Sequence, residues 1–154
     1  MARFDTSGLD DLIRDMTRMG ERSGEIAHAM VDAGVEEIRE CWRDSAEAHG
    51  HRDTGDMIAA IGSGPFIDMN DIVAKDVYPL GKDHKGVRNA EKAFILHYGT
   101  RRIPASYWVD DADDKAEPRV QSRLEQIWSD YLETGKIPTI ATDKSGDGVT
   151  KVTK

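Results

Sequence analysis

Apolar residues recur at three- and four-residue spacing along most of this chain, and each recurrence predicts a helix. Leu9, Leu12, Ile13, Met16 and Met19 form one apolar face, with Thr6 or Ser7 placed to cap the helix and Asp10 and Asp11 in its first turn. Gly20 marks its expected end. A second, longer helix starts at Ser23 or Gly24, with Ile26, Ala27, Met30, Gly34, Ile38, Cys41, Trp42 and Ala46 on its apolar side. Its other face carries Asp32, Glu36, Glu37, Arg39, Glu40, Arg43 and Glu47. This reads as a solvated face, with a subunit contact as the alternative. Gly34 weakens the helix, so it either permits close approach of another element or is neutral.

The helical period stops at HGHRDTG, residues 49 to 55. Thr54 can cap a short helix holding Met57, Ile58 and Ile61, which Gly62 and Gly64 should end. From Pro65 to Pro79 the pattern becomes strand-like, with PFIDM and IVAKDVYP placed to pair about a turn at Asn70 and Asp71. GKDHKGVRN, residues 81 to 89, reads as an exposed mobile loop. Ala90 to Tyr98 is helix-competent, Gly99 can supply a left-handed cap, and Thr100 can bond across the turn. Pro104 biases Ile103 to extended geometry, and Tyr107 and Trp108 are core or interface anchors. Pro118 suits the first turn of a renewed helix whose stripe is Val120, Leu124, Ile127, Trp128, Tyr131 and Leu132, up to a stop at Gly135. These elements predict an α+β fold: two N-terminal helices, one of them long, a small antiparallel sheet, a short helix and a C-terminal helix. One domain over residues 1–135 is followed by a Thr-, Lys- and Gly-rich stretch, 136–154, that reads as a flexible tail or an arm ordered by a partner.

Composition narrows the function. The chain has 154 residues, 38% hydrophobic and 32% charged, enough for one domain with a modest core and polar enough that association would help to complete its buried surface. With 21 basic against 29 acidic residues its formal charge is -8, which disfavours a sequence-independent grip on nucleic acid. Its one cysteine, Cys41, excludes an internal disulfide and a Cys-rich zinc site, and reads as a small buried thiol. The N-terminal residues lack the apolar run of an export signal, and no uncharged stretch is long enough to span a bilayer, so no membrane association is expected.

Candidate chemistry is sparse. His49 and His51 with Asp53 or Asp56 offer metal donors, but the H-x-H pair lacks further ligands at a recognised spacing and reads as loop histidines in solvent. Lys82, His84, Lys85 and Arg88 lie among glycines without the residue order that wraps backbone amides around phosphate. Asp110, Asp111, Asp113 and Asp114 stand near a helix start, where the dipole favours carboxylates, and no nucleophile accompanies them; an acidic interface patch is the alternative. Asp143, Ser145, Asp147 and Gly148 match half a calcium loop, yet Lys154 stands where the bidentate Glu belongs. No catalytic residue, metal site or cofactor is expected.

One set of short motifs, in order, points to a family. A Thr-Gly step opens the short helix at Thr54, Tyr78-Pro79 ends a strand, Asn89-Ala90-Glu91-Lys92-Ala93 leads to His97-Tyr98-Gly99-Thr100, and Ala105-Ser106-Tyr107-Trp108 leads to Asp111-Ala112. Over roughly Leu9 to Gly135 this resembles the neck and minor tail-component proteins of long-tailed bacteriophages, the head-tail joining and tail-completion proteins. The resemblance implies a virion structural protein without enzyme activity, assembled in the host bacterial cytoplasm. Its partners would be a homo-oligomeric ring, head-closure proteins and tail-terminator or tail-tube proteins, with genomic DNA passing through the channel without specific binding. The residues singled out for structure or interface are Tyr98, Gly99, Thr100, Pro104, Tyr107, Trp108 and Trp128. The competing readings are a small intracellular metal-dependent hydrolase using His49, His51 and the acids near Asp110, and a soluble adaptor.

Overall fold

The computed structural model describes residues 7–70 and 72–138, with side chains from Asp11 onward. Five helices and four short strands follow in the order α1 (Ser7–Glu21), α2 (Ser23–Ala48), α3 (Asp56–Ala59), β1 (Ile61–Ser63), β2 (Ile67–Met69), β3 (Ile72–Ala74), β4 (Val77–Pro79), α4 (Asn89–Tyr98) and α5 (Trp108–Thr134). The fold is α+β, as the pattern predicts. The tail and its half calcium loop lie outside the described residues, apart from 136–138.

The pairing of α2 with α5 organises the molecule. Ser45 meets Trp108, Trp42 meets Asp113, Arg119 meets Glu37 and Glu40, and Arg22 meets Gly135. Falling numbers on α2 thus match rising numbers on α5, so the helices are antiparallel. Gly34 lies beneath Val120, where a Cβ would stand 3.3 Å from Cγ1, so its missing side chain sets the closeness of the two helices. Cys41 is buried between them beside Ala112 and Ala116.

Pro118 lies inside α5 rather than at the start of a separate helix. Proline removes one helical hydrogen bond and crowds the preceding turn, a cost of about 3 kcal/mol in a helix interior. Both halves nonetheless pack onto the protein, with Trp108, Ala112 and Ala116 buried before the proline and Ile127 and Tyr131 after it. Pro118 itself is exposed. The helix ends as expected at Gly135, left-handed at φ 66° and bonded to the Tyr131 carbonyl at 2.8 Å.

The strands form one interrupted hairpin rather than a sheet entered from a longer α3. The short helix ends at Ala59, and Ile61 and Gly62 already belong to β1, which pairs with β4. β2 pairs with β3 about the expected turn, where Asn70 has φ 53°. Between the two ladders, residues 64–66 on the first arm oppose 75–76 on the second. This one-residue excess, at Gly64-Pro65-Phe66, is a bulge that splits the ribbon in two.

The main core gathers Ala46, Met57, Ile58, Ile61, Ala93 and Trp108, with Trp42, Val77, Leu96 and Val109 against it. The charged face of α2 is only partly a solvated one. Asp32 pairs with Lys75 at 2.9 Å, Glu36 with Arg39, Glu37 and Glu40 with Arg119, and Arg43 donates to the Ile61 carbonyl at 3.0 Å. Apart from the Glu36–Arg39 pair, which lies within α2, these charges tether α2 to the hairpin and to α5.

The first helix behaves differently. Its expected apolar stripe exists, but Leu12, Ile13 and Met16 are 54%, 53% and 63% exposed.

Candidate functional site

The stretch from α4 into α5 holds most of the residues singled out from sequence, and its backbone explains why. Gly99 closes α4 through its N–H on the Ile95 carbonyl at 2.8 Å, then turns with φ 76° and ψ 179°. This is not the left-handed cap expected. It is a positive-φ extended conformation open essentially only to glycine. The chain turns over Thr100, whose hydroxyl accepts the amides of Arg102 and Ile103 at 3.3 and 3.1 Å, as expected for that residue. Past the exposed Pro104, the chain doubles back on α4. The Ser106 amide reaches the Leu96 carbonyl at 3.2 Å and the Tyr107 amide the His97 carbonyl at 3.1 Å.

The two anchor aromatics part company at this joint. Tyr107 sits at φ 51°, ahead of α5, and faces solvent. Trp108 is fully buried and meets Trp42 edge-on with ring centroids 5.4 Å apart. Its carbonyl accepts the Ser45 hydroxyl at 2.6 Å. Outside the joint, Phe94 and Tyr98 lie 4.7 Å apart and are 63% and 59% exposed. Ile103 and Tyr107 are exposed as well, as are Arg101 and Arg102 in the turn that follows α4.

The structure gathers several of the polar candidates and gives each a partner. His49 Nδ1 lies 2.8 Å from the Ser45 carbonyl and donates to it, and Nε2 lies 3.0 Å from Asp111, an ion pair when the ring carries both protons. The His51 ring stacks 5.9 Å from His49, and its Nε2 lies 2.8 Å from the Ser106 hydroxyl. That Ser–His contact resembles a nucleophile and its base, but the proton is on the wrong atom. Ser106 donates its only hydroxyl proton to the Leu96 carbonyl at 2.7 Å, so His51 Nε2 must be the donor and cannot accept a proton from Ser106. Burial, then the neighbouring His49, lowers the His51 pKa and favours its neutral form. Asp56 is occupied elsewhere by His84, 2.6 Å away. Among the described residues, no three His, Cys, Asp or Glu side chains group as metal ligands.

Three of the four acids at the head of α5 serve structure beyond the dipole. Asp111 faces His49, Asp113 accepts the Trp42 indole N–H at 2.8 Å, and Asp110 lies 3.6 Å from the buried His97. His97 Nδ1 accepts the Val109 amide at 3.3 Å, which leaves the proton on the Nε2 facing Asp110.

The basic loop is tied down rather than open. Asp83, fully covered at its side chain, accepts the amides of Lys85 and Val87 at 2.9 and 2.8 Å and forms an ion pair with Lys92. Gly86 completes this turn at φ 81°. The Asp-x-x-Gly spacing was the available sequence signal for it. Lys92 first, with the two amides helping against burial, holds the Asp83 carboxyl at about 2. Because the folded value lies below the unfolded one, this stabilisation is present above about pH 4 and fades as pH falls toward 2. Asp83→Asn is therefore expected to lower the melting temperature at pH 7 and to flatten its decline between pH 4 and 2, so that the two curves converge in acid. An offset independent of pH would contradict this account.

A second surface was not anticipated as a unit. An open groove of about 620 Å³ runs along α5 beside α2, floored by Met30, Ile38, Ala116, Val120, Leu124 and Trp128. Asp113, Glu117 and Glu125 edge it. Trp128, expected on the helix stripe, is 41% exposed because it lines this groove instead of the core. Leu132, farther along α5, is also exposed. No helix among the described residues is long and apolar enough to cross a membrane.

Compared with family models, curated proteins and solved structures, the chain finds no match.

Proposed function

We propose that the chain is a virion structural protein of the phage head–tail joint, a neck or tail-completion component that forms a ring and docks between head-closure and tail proteins. The observation that carries this reading is a contrast in how side chains are used. The polar groups with catalytic or metal potential are bound within the fold, whereas apolar and aromatic side chains on α1, α4 and α5 stand in solvent. Exposed apolar surface of this extent favours assembly over catalysis. The ordered motifs from Thr54 to Ala112 supply the phage part of the reading. A ring follows from a contact between two different surfaces of one chain, which repeats until it closes. The net charge of -8 suits a channel that DNA traverses without being gripped.

A cryo-electron microscopy map of the virion neck tests the assignment. This chain is expected as a symmetric layer between head-closure and tail proteins. A map whose neck layers are all accounted for by other chains would sink it. Metal analysis of the purified protein tests the hydrolase alternative: stoichiometric zinc, lost in His51→Ala with the fold intact, would restore that reading.

A further inference from the structure

We propose that α1 of one copy lies in the α2/α5 groove of the next, so that the oligomer is built by a helix-in-groove contact. The inference deepens the self-assembly part of the proposed function and rests on that part alone.

The two surfaces match in chemistry and length. At helical spacing Leu12, Ile13 and Met16 share one face of α1, while Asp11, Arg14 and Arg18 fall on the other. Docking that stripe buries no charge on the helix, and the floor it meets is Met30, Ile38, Val120, Leu124 and Trp128. α1 has 15 residues, about 22 Å of helix at 1.5 Å per residue. The groove follows α5 from Asp113 to Trp128, a similar span of about 22 Å. Leu12, Ile13 and Met16 are each more than half exposed on α1, so a cover that removes this apolar surface from water would stabilise the assembled form.

The groove of its own chain does not supply that cover. The break between α1 and α2 is the single residue Arg22, at φ -101° and ψ 6°. Helical bonding continues through it, from the Arg22 amide to the Arg18 carbonyl at 3.2 Å and from the Ile26 amide to the Arg22 carbonyl at 3.1 Å. Arg22 also donates to the carbonyl of Gly135, at the end of α5, at 3.0 Å. Since α5 runs antiparallel to α2, the groove, which stops at Met30 and Trp128, ends before the level of Arg22 and Gly135, and α1 continues beyond that level. The groove within reach is that of a second copy. Because stripe and groove are different surfaces, a contact passed head to tail from copy to copy closes a ring, whereas reciprocal exchange between two copies stops at a dimer.

The test uses the full chain and two variants at exposed or groove positions, Met16→Glu and Leu124→Glu, with light-scattering mass measured from micromolar to near-millimolar concentration. Wild type is expected to form oligomers, and each variant alone to associate at least about tenfold more weakly. An equimolar mixture of the two is expected to stop at a dimer, since it offers one intact helix to one intact groove. Thermal melts check folding, and Trp128→Ala replaces Leu124→Glu if the latter unfolds. Variants that assemble like wild type, or a mixture that remains monomeric, overturn the contact while leaving ring formation standing. A wild type that is monomeric throughout overturns self-assembly by this contact and leaves the neck assignment to the virion map. A monomer that Met16→Glu destabilises would overturn it in favour of a cover from the same chain.

Discussion

Replacing Gly99 by valine is expected to destabilise the protein by about 3 kcal/mol or more, combining 1–3 kcal/mol of backbone strain with steric overlap. A Cβ at Gly99 would stand 2.6 Å from both the Ala105 amide nitrogen and the Ile103 carbonyl oxygen, and 3.0 Å from the Pro104 carbonyl carbon. All three are backbone atoms, so no side chain can swing away to relieve the clash. For a domain of this size the melting temperature should fall by roughly 6–12 °C. His51→Ala is the contrast. It removes one hydrogen bond to Ser106 and an edge contact to Trp108, a loss of about 1 kcal/mol. Gly99→Asn distinguishes this site from an ordinary left-handed cap: asparagine is accepted at such a cap, but here it should do nearly as much harm as valine, since it brings the same Cβ. Equal melting temperatures for the Gly99→Val and His51→Ala proteins, or a tolerated asparagine, would refute this account of the joint.

Trp108→Ala is expected to cost about 3–5 kcal/mol in urea unfolding, a large part of the 5–15 kcal/mol typical of a whole domain. Trp108 is wholly buried at the point where α5 begins, against Ala46, Met57, Ile58, Ile61 and Ala93, and its indole N–H points to the Ala93 carbonyl at 3.4 Å. Removing it opens a cavity shared by α2, α3, β1 and α4. Trp108→Phe should fall between wild type and alanine, because a smaller ring keeps part of the packing and loses the indole bond. Tyr107→Ala, one residue earlier, should leave stability within about 1 kcal/mol of wild type, since its ring is exposed. If Trp108→Ala cost no more than Tyr107→Ala, the placement of the core at the head of α5 would be wrong.

The adjacent pair shows where sequence reasoning reached its limit. Tyr107 and Trp108 were equivalent as candidate anchors, because both are large, aromatic and next to a helix start. One residue of helical rotation, set by the positive φ at Tyr107, separates an exposed ring from the centre of the core. Trp128 makes the same point farther along α5. Its place on the apolar stripe was legible, but its position over the groove depended on where α2 lies. Asp83 was the clearest omission. Its turn spacing was visible, but its burial was not, because that depends on Lys92 and the neighbouring turn closing over it.

The sequence by itself determined the elements that rest on local physics: the helical periods of α1, α2, α4 and α5, the turn at Asn70, the stop at Gly135 and the end of α4 at Gly99, though not the conformation that glycine adopts there. Tertiary structure decided what those elements face. The bulge at Gly64-Pro65-Phe66 divided the strand segment, and packing onto α2 on both sides of Pro118 kept α5 whole. His49 and Trp42, far along the chain from the acids of α5, came to face Asp111 and Asp113 when the two helices met. Periodicity reports that a helix has an apolar face, because that face is written every three or four residues. Whether the face is covered depends on contacts distant in the chain, and for α1 the structure leaves Leu12, Ile13 and Met16 in solvent.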